Sequence, residues 1–222
     1  VYDVDGISIV QGDAEALLRA MPDASVDAVI TDPPYGVQVA AWDADVPYHL
    51  LPEMLRVSRG PVVWFGSGSR LADDVRAFDP PPERTVVWAP RFTLAHATSR
   101  GLAYRYQPIY CWRLPKSHDG PKWDVVDTMT ELRTAGHKCS KPLKLMQLLV
   151  GFAPKGGTVL DPFMGSGTTL LAARNTGRRA IGFEIDAGYC ELAASRFRQT
   201  TLLGIEPMPP TQTELSHGSA CI

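Results

Sequence analysis

Apolar residues along this chain follow two alternating rhythms. Short runs such as Ile7-Ser8-Ile9-Val10, Val26-Asp27-Ala28-Val29-Ile30 and Pro61-Val62-Val63-Trp64-Phe65 have the length and composition of strands. Helical spacing follows the first two, from Asp13 to Ala20 and from Pro47 to Val57. Pro47 suits a first helical turn, Pro52 threatens a kink and Gly60 supplies a stop. The alternation returns late in the chain. A helix is expected from Pro142 to about Ala153, with Leu145, Leu148, Leu149 and Phe152 on one face. A strand at Thr158 to Leu160, a helix from about Ser166 to Asn175 ended by Gly177, a strand at Ala180 to Phe183 and a helix from Gly188 to Gln199 complete the series. Strands alternating with helices predict an α/β fold, its sheet mostly parallel and covered by helices on both faces.

Between about Pro80 and Gly136 the rhythm breaks. Aromatic residues and arginines interleave with prolines there, and only Thr85 to Trp88 and Ile109 to Arg113 read as strand pieces. The expected organisation is one domain in two halves, 1–79 and 137–203, with an insertion at 80–136. Residues 204–222, rich in Pro, Ser and Thr, are expected to be a disordered tail.

With 222 residues and 45% hydrophobic composition the chain can bury a substantial core. Its net charge of -2 argues against a uniformly basic coat, yet the stretch from Arg84 to Lys122 carries seven Lys/Arg against the single acid Asp119. Arg91, Arg100, Arg105, Arg113, Lys116 and Lys122 are candidates for contact with nucleic-acid phosphates. Aromatics of the same stretch, among them Trp88, Phe92, Tyr104, Tyr106 and Trp123, could stack on bases or fill a core, and Tyr110 and Trp112 are expected in the core. Cysteines at 111, 139, 190 and 221 show no paired spacing, so neither a metal site nor a disulfide framework is expected. No apolar run has the length of a membrane span and no signal-peptide pattern opens the chain, which points to the cytoplasm.

Two short segments carry the chemistry, each directly after a strand. The first is Thr31-Asp32-Pro33-Pro34-Tyr35-Gly36 and the second Asp161-Pro162-Phe163-Met164-Gly165-Ser166-Gly167-Thr168-Thr169. A glycine-rich turn at the carboxyl end of a strand lines the ligand crevice of an open α/β sheet, and Gly165 and Gly167 let the backbone approach a ligand closely. Glu184 follows the next strand, 19 residues after Gly165, the spacing at which such folds bind ribose hydroxyls. The turn is no G-x-G-x-x-G dinucleotide start and is headed by Asp161. A carboxylate there suits a ligand with ammonium and sulfonium charges better than one with phosphates.

Together and in this order, the two segments resemble the amino-group DNA methyltransferases, specifically the beta class, in which the catalytic segment precedes the cofactor segment. The resemblance implies a Rossmann-like S-adenosylmethionine-dependent methyltransferase fold in circular arrangement, acting on a base flipped out of double-stranded DNA. It implies that Asp32 and the Pro33 carbonyl accept from the target amine, that Pro33 and Pro34 stiffen the loop, and that Tyr35 stacks on the base. Asp161, Phe163 and Gly165 would surround the methionine part of S-adenosylmethionine, Gly167 belongs to the same cofactor set, Thr168 and Thr169 would cap the helix beside it, and Glu184 would hold the ribose. Gly12-Asp13 is similar to the acidic segment that the family places near the cofactor's adenine. His137-Lys138-Cys139-Ser140-Lys141-Pro142 resembles the family's H-P-T-Q-K-P, which puts Lys141 in the cofactor set; Lys138, Cys139 and Ser140 depart from that pattern.

Within the family, Asp-Pro-Pro-Tyr leans toward adenine N6 over cytosine N4. Carbon-5 methylation would need a Pro-Cys thiolate, and no cysteine here has that setting. The family's target-recognition region lies in the stretch read as the insertion, and its shortness suggests a short target or a homodimer whose second copy adds contacts. The expected activity is site-specific adenine-N6 methylation of DNA, of restriction-modification, orphan or phage type. The alternatives are N4-cytosine methylation, an RNA substrate, or a degenerate nucleic-acid-binding protein of methylase fold.

Overall fold

The structure is a computed structural model that describes residues 1–36, 45–90, 105–128 and 141–202. The expected tail lies outside these residues. At the centre of the sheet are β3 (Ala28–Thr31) and β4 (Val62–Phe65), every residue of which is buried. β4 is apolar throughout and β3 is apolar up to Thr31, because helices cover both faces. With β2 (Ile7–Gln11), β8 (Thr158–Asp161) and β9 (Arg179–Glu184) they form a parallel block in the order β2-β9-β8-β3-β4. β1 (Tyr2–Val4) pairs antiparallel with β2 at one margin.

Alternate residues of β4 enter opposite cores, as the two-residue period of a strand requires. Val63 and Phe65 join Ile7 and Ile30 under α4 (Leu143–Val150), α5 (Thr168–Asn175) and α6 (Ala187–Leu202), which supply Leu145, Leu149, Leu170 and Phe197. Val62 and Trp64 join Val29 and Leu160 under α1 (Ala14–Ala20) and α2 (Leu51–Val57), which supply Leu18 and Met54. The expected α/β architecture with helices on both faces is present. Pro52 lies in the first turn of α2, where no kink arises, because Tyr48–Leu50 form a separate 3-10 turn before it.

One helix was not anticipated. α3 (Leu71–Ala77) is short, and its Asp74 is buried, accepting from the hydroxyls of Tyr48 at 2.5 Å and Tyr110 at 3.0 Å. Phe78, just beyond it, meets Tyr48, Trp64, Tyr110 and Trp112 edge-on.

The described part of 80–136 is not a separate module. β6 (Gln107–Trp112) pairs antiparallel with β4, β5 (Arg84–Trp88) antiparallel with β6, and β7 (Val125–Val126) parallel with β5, giving one nine-stranded sheet among the described residues. Ile109 to Trp112 are buried throughout, so β6 needs cover on both faces and finds it only inside the main sheet. Strand direction then sorts the loops. The start of β6 lies beside the carboxyl ends of β3 and β4, whereas its last residue, Trp112, pairs with Val62 at the opposite, amino edge.

Candidate active site

From β8 the chain passes outward to β9, and from β3 it passes outward to β4 in the other direction. The neighbours β3 and β8 therefore mark the switch point, outside whose carboxyl ends an open α/β sheet binds its ligands. Asp32 follows β3, Asp161 closes β8 and Glu184 closes β9, so acids far apart in sequence converge on one edge. The Thr31 hydroxyl donates to Asp161 Oδ1 at 2.8 Å across 130 residues of chain, in a buried bond that ties the two segments together. Asp161 also accepts from the Phe163 amide at 3.1 Å and from the Thr169 side chain. Burial pushes its carboxyl up to about 6; the hydrogen bonds oppose that rise and the charge of Asp32 adds to it.

The turn beyond Asp161 needs glycine at two places. Gly165 has φ +51° and Gly167 φ +79°, and a Cβ on Gly167 would come within 3.1 Å of Ala193 Cβ. A Cβ on Gly165 would meet nothing within 4 Å, so that side of the turn faces open space. Arg196 of α6 pins the turn by donating to the Ser166 carbonyl at 2.7 Å. Thr168 and Thr169 are buried in the first turn of α5, and Phe163 is half-buried. Glu184 accepts from the Gly165 amide at 3.1 Å and the Asp186 amide at 2.9 Å, and burial raises its carboxyl. Beside it Ile185 is exposed, an apolar face that sequence reasoning passed over although a large hydrophobe directly after a strand-end acid was a usable signal.

Asp13 is exposed and caps α1, accepting from the Ala16 amide at 2.9 Å. Its neighbour Gly12 donates to the Glu184 carbonyl at 2.9 Å, which keeps Asp13 on the same edge. Carboxylates at 161 and 184, an exposed Ile185 and an open glycine turn fit a ligand with a cationic amino-acid end and a nucleoside end. Among the described residues no group of three or more His, Cys, Asp or Glu could hold a metal ion.

In the catalytic segment Pro33 is buried, while Asp32, Pro34 and Tyr35 are half-buried. The Tyr35 hydroxyl donates to Asp32 Oδ1. Lys141, expected in the cofactor set, is in contact with this segment: its ammonium donates to Asp32 Oδ2 at 2.5 Å and to the Tyr35 hydroxyl at 2.8 Å. Gln107, at the start of β6, donates to the same hydroxyl at 3.4 Å. No motif marked Gln107, because only the pairing of β6 with β4 brings it to the site.

The basic candidates separate by edge. Arg105 is exposed two residues before β6, on the side of Asp32. Arg113, with φ 54°, lies at the amino edge, and its guanidinium donates to the carbonyls of Leu55 at 2.7 Å and Ser58 at 3.0 Å. It closes the end of α2. Lys116 is exposed on the same amino-edge loop, and the Lys122 ammonium is bonded to the His118 carbonyl within it. Arg91 and Arg100, like Phe92 and Tyr104, lie outside the described residues. Tyr110 and Trp112 are core residues as expected, whereas Trp123 is 76% exposed.

Comparison with known proteins matches residues 82–195, just over half of the chain, to the DNA methylase family. The type II methyltransferase M.ScaI of Streptomyces caespitosus is 25% identical over 260 residues, covering 88% of this chain and 82% of its own. M.HindIII of Haemophilus influenzae is 48% identical over 71 residues, which make up 32% of this chain and 21% of that enzyme. Among solved structures, the M1.HpyAVI-SAM complex aligns with a TM-score of 0.66 and 23% identity, over 86% of this chain and 99% of that one. The cytosine-N4-specific PvuII DNA methyltransferase aligns with a TM-score of 0.70 and 18% identity, over 88% of each chain. Those two likenesses establish a common fold. With the family match extending across β6, α4, the glycine turn and Glu184, the chain belongs to the DNA methylase family, the S-adenosylmethionine-dependent methyltransferases of DNA amino groups.

Proposed function

We propose that the protein methylates the N6 amine of adenine in double-stranded DNA, as the modification half of a restriction-modification pair. The observation that carries the reading is the junction of Asp32-Pro33-Pro34-Tyr35 with the Asp161 turn at the ends of adjacent strands, joined by the Thr31–Asp161 hydrogen bond. An exocyclic amine is a poor nucleophile because its lone pair is delocalised into the ring. The Asp32 carboxylate and the Pro33 carbonyl accept its two hydrogens, which favours a pyramidal nitrogen and stabilises positive charge developing there. Tyr35 offers a stacking face to the flipped base. When bound, S-adenosylmethionine would supply an electrophilic methyl group on a cationic sulfur, leaving as the neutral thioether S-adenosylhomocysteine, and the proton released from the methylated amine would pass by way of Asp32 to water. Asp161, Phe163, Gly165, Gly167, Thr168 and Thr169 are proposed around its methionine part, with Glu184 at the ribose and Ile185 and Asp13 toward the adenine.

The choice of adenine rests on Asp at the head of the segment. Transfer of a labelled methyl group to duplex DNA, followed by separation of the nucleosides, should give labelled N6-methyladenine. N4-methylcytosine as the sole labelled product would overturn the adenine assignment, and label on RNA in preference to duplex DNA would overturn the substrate.

Strand direction also ranks the phosphate contacts. Arg105→Glu should weaken duplex binding about tenfold at low salt and flatten its salt dependence, since a phosphate-contacting cation contributes a salt-sensitive term of roughly that size. Lys116→Glu combined with Lys122→Glu, at the far edge, should change it less than about twofold. Fluorescence anisotropy over a salt series checks both, and the reverse ranking would place the DNA on the amino edge.

A further inference from the structure

We infer that Lys141 is a positioning residue for catalysis, its ammonium holding Asp32 and Tyr35 in the arrangement that receives the target amine. The inference rests on the reading of Asp32 as the amine acceptor. Lysine is rarely buried unless paired, and the Lys141 side chain is only 10% exposed. Ordering so flexible a stem and drying its charge is unfavourable, so the partners must compensate. They do so on three sides. Asp32 Oδ2 lies at 2.5 Å and the Tyr35 hydroxyl at 2.8 Å, while the ammonium stands 4.9 Å from the ring centre of Phe65 and 5.3 Å from that of Tyr35.

Each oxygen of Asp32 thus has its own internal donor, Tyr35 on Oδ1 and Lys141 on Oδ2, which fixes the plane of the carboxylate. An ionised carboxylate has about four acceptor sites, so room remains for an incoming amine. The Tyr35 hydroxyl donates to Asp32 while accepting from Lys141 and Gln107, and the orientation of its ring is fixed by the same bonds.

The ammonium is in turn placed by rigid parts of the fold. Phe65 is the fully buried last residue of β4. Pro142, the next residue, caps α4, and α4 is anchored in the core through Leu145, Met146 and Leu149. Lys141 therefore ties the geometry of the catalytic loop to the sheet and α4, beside the bond that Gln107 of β6 makes to the Tyr35 hydroxyl. Among the described residues, the contacts of Lys141 are with Asp32, Tyr35 and Phe65.

Single-turnover methylation at saturating S-adenosylmethionine, with calorimetric cofactor binding, tests this on the full chain. Lys141→Met should lower the transfer rate about 100-fold, the loss typical of a misplaced reacting group, with the cofactor Kd changed less than about threefold. Lys141→Arg should recover at least about tenfold of that loss by keeping the charge. In an Asp32→Asn background the same Lys141→Met change should cost little more, because a residue acting through Asp32 is non-additive with it. Should Lys141→Met lose its fold by circular dichroism, the cycle is run with Lys141→Arg, whose loss must likewise vanish in the Asp32→Asn background. A cofactor Kd weakened tenfold at unchanged saturating rate would make Lys141 a cofactor ligand and overturn the inference. Equal losses in both backgrounds, or no loss in either, would also overturn it. Retained turnover in Asp32→Ala would sink the reading of Asp32 itself, a separate failure.

Discussion

Asp32→Ala should lower methyl transfer by roughly 10²–10³-fold or more, the range for removing one preorganised group that meets developing charge, while S-adenosylmethionine still binds with a Kd within about threefold of the unmodified protein. The separation arises because Asp32 stands beyond β3, whereas the turn proposed to hold the cofactor is built on β8, α5 and α6 and keeps its own bonds to Thr31, Glu184 and Arg196. Stability is a side effect to control. The ammonium of Lys141 would lose its counter-charge in a nearly buried place, at a cost of about 1–3 kcal/mol. Asp32→Asn keeps an acceptor oxygen and the side-chain shape, so it separates charge from geometry. A burst of product in Asp32→Ala under single-turnover conditions would rule out Asp32 as the amine acceptor.

Asp161→Asn should act in two opposite directions. The Asp161 carboxyl titrates at about 6 in the folded chain against 3.8 unperturbed, chiefly because it is buried. A raised folded value means that the native state binds more protons than the unfolded state between those limits, so stability falls as pH rises from about 4 to about 6 and then levels off. The penalty at neutral pH is on the order of 3 kcal/mol at most. Asparagine keeps an oxygen for the Thr31 hydroxyl and the Phe163 amide without the buried charge, so the variant should be more stable at pH 7 by about 1–3 kcal/mol in urea unfolding and should lose this pH slope. Its cofactor affinity should fall about 10–100-fold, because a buried charge partner for the ammonium is gone. In the unmodified protein affinity should rise as pH rises through about 6. A variant less stable at pH 7, or one that binds cofactor undiminished, would contradict this assignment. A charged residue kept in a dry place against its own stability is the pattern of a ligand site.

The regular elements could be read from the sequence because each obeys its own period. The run at Val62 is apolar throughout, the one at Thr158 has Val159 and Leu160 at its centre, and α4 presents Leu145 and Leu149 on one face. What could not be read was pairing between distant elements. The strand pieces near Thr85 and Ile109 were visible, but nothing local says that β6 turns back against β4 and continues the main sheet. Asp74 shows another limit: an acid in a short helix with two more polar residues beside it reads as surface, and only Tyr48 and Tyr110 arriving from elsewhere explain its burial. In the site, both main segments were legible because each joins a strand end to a turn of distinctive chemistry. Lys141 was found, but its partner was not, since Asp32 lies 109 residues away. Arg113 shows the converse: its charge was visible and the helix end that it bonds was not.

The place of β8 between β3 and β9 has a consequence for synthesis on the ribosome. The front half emerges with β3 able to pair with β4 on one side only, and its other margin stays open until the residues around Val159 follow. β2 waits longer still, for the residues around Ala180. During that interval the nascent chain exposes two apolar strand margins that can recruit another chain as readily as their own partner. The pairings that complete the catalytic edge are thus among the last to form and the most non-local, so folding should be slow and sensitive to concentration.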